Sequence, residues 1–314
     1  MKRFVGFLLT YARIFLLLAI LIVSSCVTQD PLQNIKNMIV NQAPFIMIYS
    51  FGMTLTIITG GLDLSMGSVA AFSTCAAAFL IIRGYTFAGV LACLLIGAFF
   101  GIVNGLLITK AKVSPFIATY GMEWVIRGAV YIMMSGAMIY HFSEEFKMIA
   151  NGTLFGISNL IYITVAIFII LMFVFERTVF GRNVYMTGAN INVTRLTGVN
   201  TDFIIIIVYM VSGILAAAAG LLYVARLDAA EAFLGKDFAL MALAAALIGG
   251  TSLQGGKGGV GNTVIGVLVM VFLMNALNVL NVSSLWQDAV FGMVIIVSSV
   301  LERARQNYAD SLQA

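Results

Sequence analysis

About ten apolar stretches follow one another along this chain, most of them near the ~20 residues that cross a bilayer as a helix. They fall at 4–26, 38–59, 66–82, 86–108, 116–138, 158–175, 203–225, 238–250, 263–280 and 285–301. No globular core hides that much apolar surface, because most residues of a soluble fold lie near water. Composition agrees: 61% of the 314 residues are hydrophobic, 10% are charged, and the mean hydropathy is +1.06. A transmembrane barrel would alternate apolar and polar residues, and this chain does not. The expected fold is therefore all-α, a polytopic integral membrane protein of about ten transmembrane helices. One transmembrane domain, 1–314, accounts for the whole length, and no loop is large enough for a soluble catalytic domain.

Two segments, 66–82 and 238–250, are short for a straight crossing. Gly60-Gly61-Leu62-Asp63 precedes the first, and a glycine-rich stretch from Gly249 to Gly261 follows the second. Short or Gly-interrupted segments in each half of a transporter mark broken helices near the pathway. The basic residues give an orientation. With the N-terminus inside, ten basic residues face inward: Lys2, Arg3, Lys110, Lys112, Arg177, Arg182, Arg195, Lys257, Arg303 and Arg305. Five face outward, namely Lys36, Arg83, Lys147, Arg226 and Lys236, while Arg13 and Arg127 fall within segments. The positive-inside rule favours this arrangement and puts both termini in the cytoplasm. The net charge of +4 then reflects membrane topology and not nucleic-acid binding. The first segment has a signal peptide's charge layout. Its apolar run is too long and lacks a small-residue cleavage site, so it reads as a retained helix. Cys26, Cys75 and Cys93 have no metal-ligand spacing and read as small apolar residues.

The longest inward loop is 176–202, short, polar and basic, with Gly188 and Gly198 bracketing a turn or two of possible helix. Held between two membrane anchors, such a segment suits docking on a peripheral partner; an ordinary solvated loop is the alternative. Asp63, flanked by Gly60, Gly61 and Ser65, suits a helix break in which its carboxylate caps segment 66–82. A proton or cation site is the other reading of a buried acid. Glu123 and Arg127 stand at i,i+4 in the favourable order and form an expected intramembrane pair, with a pathway role as the alternative. Asn275, Asn278 and Asn281 recur every third residue, and Asn104 is similarly placed; all are helix glue or pathway groups. Residues 256–261 formally match a dinucleotide-binding glycine pattern, but a helix precedes them and no acid follows at the required distance. The Walker pattern also fails, so this chain is expected to bind no ATP. His141 with Glu144 and Glu145 falls short of a metal ligand set, so no metal site is expected. No catalytic constellation is present, and an enzymatic role is not expected.

Several motifs point further. The stretch GRNVYMTGAN at 181–190, followed by TRLTGVN at 194–200, resembles the GRxxYAxGxN…ARLxGIxV pattern of ribose-type sugar ABC transporter permeases. GGLDLSMGS at 60–68 resembles their GGIDLSVGS, and ALIGGTSLQGGKG at 246–258 resembles their LGGTSLxGGxG. Residues 101–105, 115–119 and 208–227 add further matches, in the same order, over about 50–301. The chain departs from the pattern at Lys236-Asp237-Phe238-Ala239-Leu240, where a Glu is usual, and at Ser158, Val193-Thr194 and Glu123.

The resemblance implies a translocation subunit and not an enzyme. It implies a second permease protomer, identical or paralogous, a cytoplasmic ABC ATPase with tandem nucleotide domains, and an extracytoplasmic sugar-binding protein. ATP and Mg would sit on the ATPase, with no cofactor on this chain. It places the protein in a bacterial inner membrane. It implies that 176–202 is the cytoplasmic coupling loop, with Gly188, Asn190, Thr194, Arg195, Leu196 and Gly198 as its working residues. Gly60, Gly61, Asp63, Ser65, Asn104, Asn275 and Asn278 are the helix-break or pathway candidates. The alternative is a self-contained secondary transporter with Asp63 or Glu123 as its coupling acid.

Overall fold

The computed structural model describes residues 15–300 apart from 16, 23, 24, 27, 29, 284, 285 and 288. Most of the first expected segment, and Lys2, Arg3, Arg13, Arg303 and Arg305, lie outside the described residues. Within them the fold is helical. The strands are two antiparallel pairs of two-residue elements: β1 (Ile139–Tyr140) with β4 (Ala229–Ala230), and β2 (Thr153–Leu154) with β3 (Ile157–Ser158).

Helix α1 runs Pro31–Ile58. Asp30 starts it, its side chain accepting from Gln33 N at 3.2 Å, and Pro31 fits the first turn, where an N–H has no helical partner anyway. Pro44 offers no N–H to the preceding turn, and the chain answers with one widened π turn at Met38–Gln42. Then follow α2 (Met66–Ile81), α3 (Thr86–Thr109), α4 (Pro115–Met134), a short α5 (Glu144–Asn151) and α6 (Asn159–Arg177). Two small helices come next, α7 (Val179–Ala189) and α8 (Ile191–Leu196). The chain continues through α9 (Thr201–Leu227), α10 (Phe238–Ile248), α11 (Val260–Val279) and α12 (Ala289–Val300).

Among the described residues, five helices are long and apolar enough to cross a membrane: α1, α3, α6, α9 and α11. α2 and α10 are the short pair read from the sequence. At 1.5 Å per residue they reach only about 24 and 17 Å, against a hydrocarbon core of about 30 Å. α1 and α9 form the inside, with 67% of their most apolar windows buried, whereas α3 and α6 bury 28% and 22%. The outer faces of α3 and α6, with Leu91, Leu95, Phe99, Ile169 and Phe173 exposed, are the surface lipid requires.

The most extensive helix pairing among the described residues is α3 on α9, and small residues set it. Gly97, Gly101 and Gly105 fall every fourth residue on one face of α3. A Cβ on Gly97 would overlap the Gly213 carbonyl, and one on Gly101 the Tyr209 carbonyl. A Cβ on Gly105 would lie 2.7 Å from Ile206 Cα. Helices approach this closely in a membrane only where side chains are absent, since packing and not water drives them together.

Candidate functional site

The first break follows α1. Gly60 takes a left-handed φ of +83°, and the chain runs unwound through Leu62, Asp63 and Leu64 before α2 starts. Backbone left unpaired inside a bilayer must be satisfied by protein groups. Here Leu62 O accepts from Tyr209 Oη at 3.0 Å and Thr119 Oγ1 at 3.1 Å. Asp63 is buried and accepts three hydrogen bonds: from Ser65 N (3.1 Å) and Ser65 Oγ (2.6 Å) on Oδ1, and from Ser212 Oγ (2.7 Å) on Oδ2. Asn104 Nδ2 donates to Ser65 Oγ at 2.7 Å. The break is thus tied to α9 through Ser212 and Tyr209, to α3 through Asn104, and to α4 through Thr119.

Asp63 does not cap α2 as the sequence suggested. Its bond to the amide two residues on makes a local turn, and the cap comes from another helix. Glu123 of α4 accepts from Ser68 N, in the first turn of α2, at 2.9 Å through Oε2. A carboxylate here completes an open N–H and faces the positive end of the helix dipole.

The second break precedes α10. Residues 229–237 approach it as β4 and irregular turns, with Gly235 at φ +72°. Arg127 holds this stretch: Nη1 donates to Ala232 O and Leu234 O, both at 2.8 Å. Its Nε and Nη2 donate to Glu123 Oε1 at 3.1 and 3.0 Å. The expected i,i+4 pair exists and does more than neutralise itself. Through Glu123 it fastens the start of α2, and through Arg127 the lead-in to α10. Gly67 and Gly235 touch backbone to backbone between them; a Cβ on Gly235 would stand 3.1 Å from Gly67 Cα. The starts of the two short helices therefore meet at one charged node.

The 176–202 segment is more ordered than its sequence suggested. The single turn or two expected between the glycines is preceded by a full helix, α7, capped by Thr178. Asn190 separates α7 from α8, and its Oδ1 accepts from Asn192 N and Val193 N at 3.1 Å each. Thr194 is buried, donating to Met186 O at 2.8 Å. Arg195 bonds Thr201 Oγ1 and pairs with Asp202, each at 2.7 Å, and Lys110 reaches the same carboxylate at 2.9 Å. Gly198 turns the chain at φ +85°. Of the six expected coupling residues, Asn190, Arg195 and Leu196 have exposed side chains, and Leu196, 88% exposed with Val193 beside it, is the apolar one.

The end of α7 meets the first break and the glycine-rich turn that follows α10. A Cβ on Gly188 would overlap Ile58 O at the end of α1 and lie 2.7 Å from Gly256 N. One on Gly255 would lie 2.7 Å from Gly188 O and 3.0 Å from Gly60 Cα. Gly256 N donates to Ile58 O at 2.9 Å, and Tyr185 Oη to Gly258 O at 3.1 Å. Burial pushes the Tyr185 phenol up, which keeps it a donor. The Gly249–Gly261 stretch is thus a closely packed turn after α10, and the three chain segments meet through bare backbone.

Other candidates lie elsewhere. Asn275 exchanges hydrogen bonds with Asn34 of α1 at 2.7 and 3.1 Å, and Asn278 accepts from Gln287 at 2.8 Å. Both tie helices together outside the breaks, and Asn281 lies beyond the end of α11. Tyr209, Ser212, Thr119 and Ser68 lay within the matched stretches, but isolated hydroxyls in apolar helices carry no local signal of a bonding role. Tyr185 and the 255–256 glycines lay within quoted motifs, without a partner to reveal their role.

A family model described as the permease component of the branched-chain amino acid transport system matches residues 36–299. The ribose import permease protein of Escherichia coli (strain K12) is 37% identical over 280 residues, covering 88% of this chain and 87% of that one. That of Bacillus subtilis (strain 168) is 37% identical over 281 residues, covering 88% and 86%. The D-allose transport system permease protein of Escherichia coli (strain K12) is 34% identical over 272 residues, covering 86% and 83%. No solved structure matches the chain. With most of its length matched, this chain belongs to the branched-chain amino acid transport system permease component family.

Proposed function

We propose that this chain is the membrane permease of an ATP-driven importer for a monosaccharide, ribose or a related sugar. Its relatives are named as ribose and allose permeases, which supports the cargo class. In this reading two protomers, identical or paralogous, line a pathway in a bacterial inner membrane with both termini inside. A binding protein delivers sugar outside. A cytoplasmic ATPase with tandem nucleotide domains carries ATP and Mg and docks on 176–202.

The observation that carries the coupling is the backbone junction of Gly188, Gly60 and Gly255–Gly256. A push on α7 and α8 reaches both broken helices at once, because no flexible side chain lies between to absorb it. Rigid contacts of this kind pass movement between discrete packings and do not damp it. Leu196 and Val193 supply the apolar knob that the ATPase grips. The unwound segments supply hinges whose backbone bonds are held by side chains that can exchange partners.

The secondary-transporter reading is disfavoured by the relatives. Its proposed coupling acids, Asp63 or Glu123, also have both oxygens engaged, Asp63 by serines and Glu123 by Arg127 and Ser68 N. Proteoliposomes decide between the two. The proposal predicts sugar uptake only when ATPase, ATP and binding protein are supplied. Uptake by this chain alone, driven by a proton or sodium gradient, would overturn it.

A further inference from the structure

α4 differs from every other long helix described. Of the six helices of 18 residues or more, it alone is not apolar enough to pass as a span, although it lies among them. Its exposed face differs as well. α3 and α6 present mainly aliphatic and phenyl side chains outward, as lipid requires. α4 exposes Ile117, Val125 and Ile132 on one side and, on the other, presents Phe116, Tyr120 and Trp124 at successive fourth residues. The first two rings stack at 5.7 Å and 9° between planes, and the third meets the second edge-on at 6.3 Å. Side chains spaced by four residues climb one stripe of a helix. The same stripe, carried one and two turns further, reaches Arg127 and Tyr131, and Tyr131 packs on Phe233 at 5.2 Å. Phe233 belongs to the lead-in to α10 and is 62% exposed.

The aromatic stripe therefore runs up to the charged node that joins the two short helices and continues on its other side. Lipid contact explains exposed rings at a helix end, where aromatic belts form. It does not explain rings that lead to an ion pair whose guanidinium is buried and whose carboxylate is 17% exposed. A face of Phe, Tyr and Trp beside a partly exposed carboxylate suits a sugar. Ring faces cover its C–H surfaces, while the Tyr120 hydroxyl, the indole N–H and Glu123 meet its hydroxyls. Gly121 and Gly128 have no neighbours within reach and leave the flank of the stripe open.

We propose that Phe116, Tyr120, Trp124, Tyr131 and Phe233, with Glu123 at their centre, form the track on which the monosaccharide crosses. This rests on the importer reading above. Flat stacking without a deep pocket gives contacts that are individually weak, so cargo can step along and leave.

The test uses the complete transporter, with ATPase and binding protein, in proteoliposomes. Tyr120→Leu and Trp124→Leu keep the helix and its lipid compatibility but remove the rings. Radiolabelled ribose uptake per ATP hydrolysed is expected to fall by several-fold to about tenfold for each. Assembly and binding-protein-stimulated ATP hydrolysis stay unchanged, and Trp124→Phe retains most of the uptake. Leucine variants that transport like the parent would assign the stripe to lipid and overturn the proposal. Leucine variants that dissociate the protomers would assign it to a second copy of the chain and overturn it equally. If the parent complex imports no monosaccharide, the importer reading fails first and the track falls with it.

Discussion

Replacing Arg127 by methionine keeps most of the side chain's volume and removes all four of its hydrogen bonds. Two of them hold Glu123 and two hold the carbonyls of Ala232 and Leu234. The guanidinium is 4% exposed and the carboxylate 17%, so neither partner is recovered well by water. Stranding one member of a buried pair costs about 3–5 kcal/mol, and each orphaned carbonyl adds about 1 kcal/mol or more. Arg127→Met should therefore cost about 5–7 kcal/mol. Adding Glu123→Gln removes the stranded charge, and a glutamine still accepts from Ser68 N. The double variant should then cost about 2–3 kcal/mol, less than Arg127→Met alone. The assay is a double-mutant cycle on reversible unfolding in mixed micelles, followed by circular dichroism. A loss under about 1 kcal/mol for Arg127→Met, or single effects that add within about 0.5 kcal/mol, would refute the clasp.

Three further outcomes are expected. Gly188→Ala puts a methyl onto the Ile58 carbonyl; overpacking costs about 1–3 kcal/mol, and sugar uptake per ATP should fall about tenfold while ATPase binding persists. Ser212→Ala takes a donor from the Asp63 carboxylate; unfolding free energy should drop by about 1.5–3 kcal/mol, with Ser212→Thr recovering part of it. Leu196→Asp alters an exposed side chain; thermal stability should move by less than about 0.5 kcal/mol, while affinity for the ATPase, measured by pull-down or light scattering, is lost.

The short helices were legible because their length and flanking glycines are local properties, and length is what a bilayer tests. The Glu123–Arg127 pair was legible for the same reason, since i,i+4 spacing fixes proximity within one helix. What the pair does was not legible. Ser68, Ala232 and Leu234 are distant in sequence, and two of them contribute only carbonyls, which every residue possesses. The function of Asp63 was misread because its own sequence neighbours offered a cap, while the true cap arrives from α4. Helix α7 was missed since GRNVYMTGA is neither apolar nor strongly periodic; a Thr178 cap and contacts with the first break and the glycine turn hold it. The burial of Thr194 was not legible either, since the Met186 carbonyl that it bonds offers no sequence signal; Arg195 stays exposed while bonding Thr201 and Asp202.

Coupling requires the 176–202 segment to travel with the first break and with the glycine turn after α10. Spin labels at Asn192 paired with Thr59, and at Asn192 paired with Gln254, report the two distances by pulsed electron resonance. Cys26 is exposed and is first replaced by serine, while Cys75 and Cys93 are buried. Between nucleotide-free and ATP-trapped transporter, both distances should hold within about 2 Å, the scale of a packed helix adjusting in place. A change of about 5 Å or more in either distance would mean that the segment slides past the break or the turn, and would contradict the coupling described here.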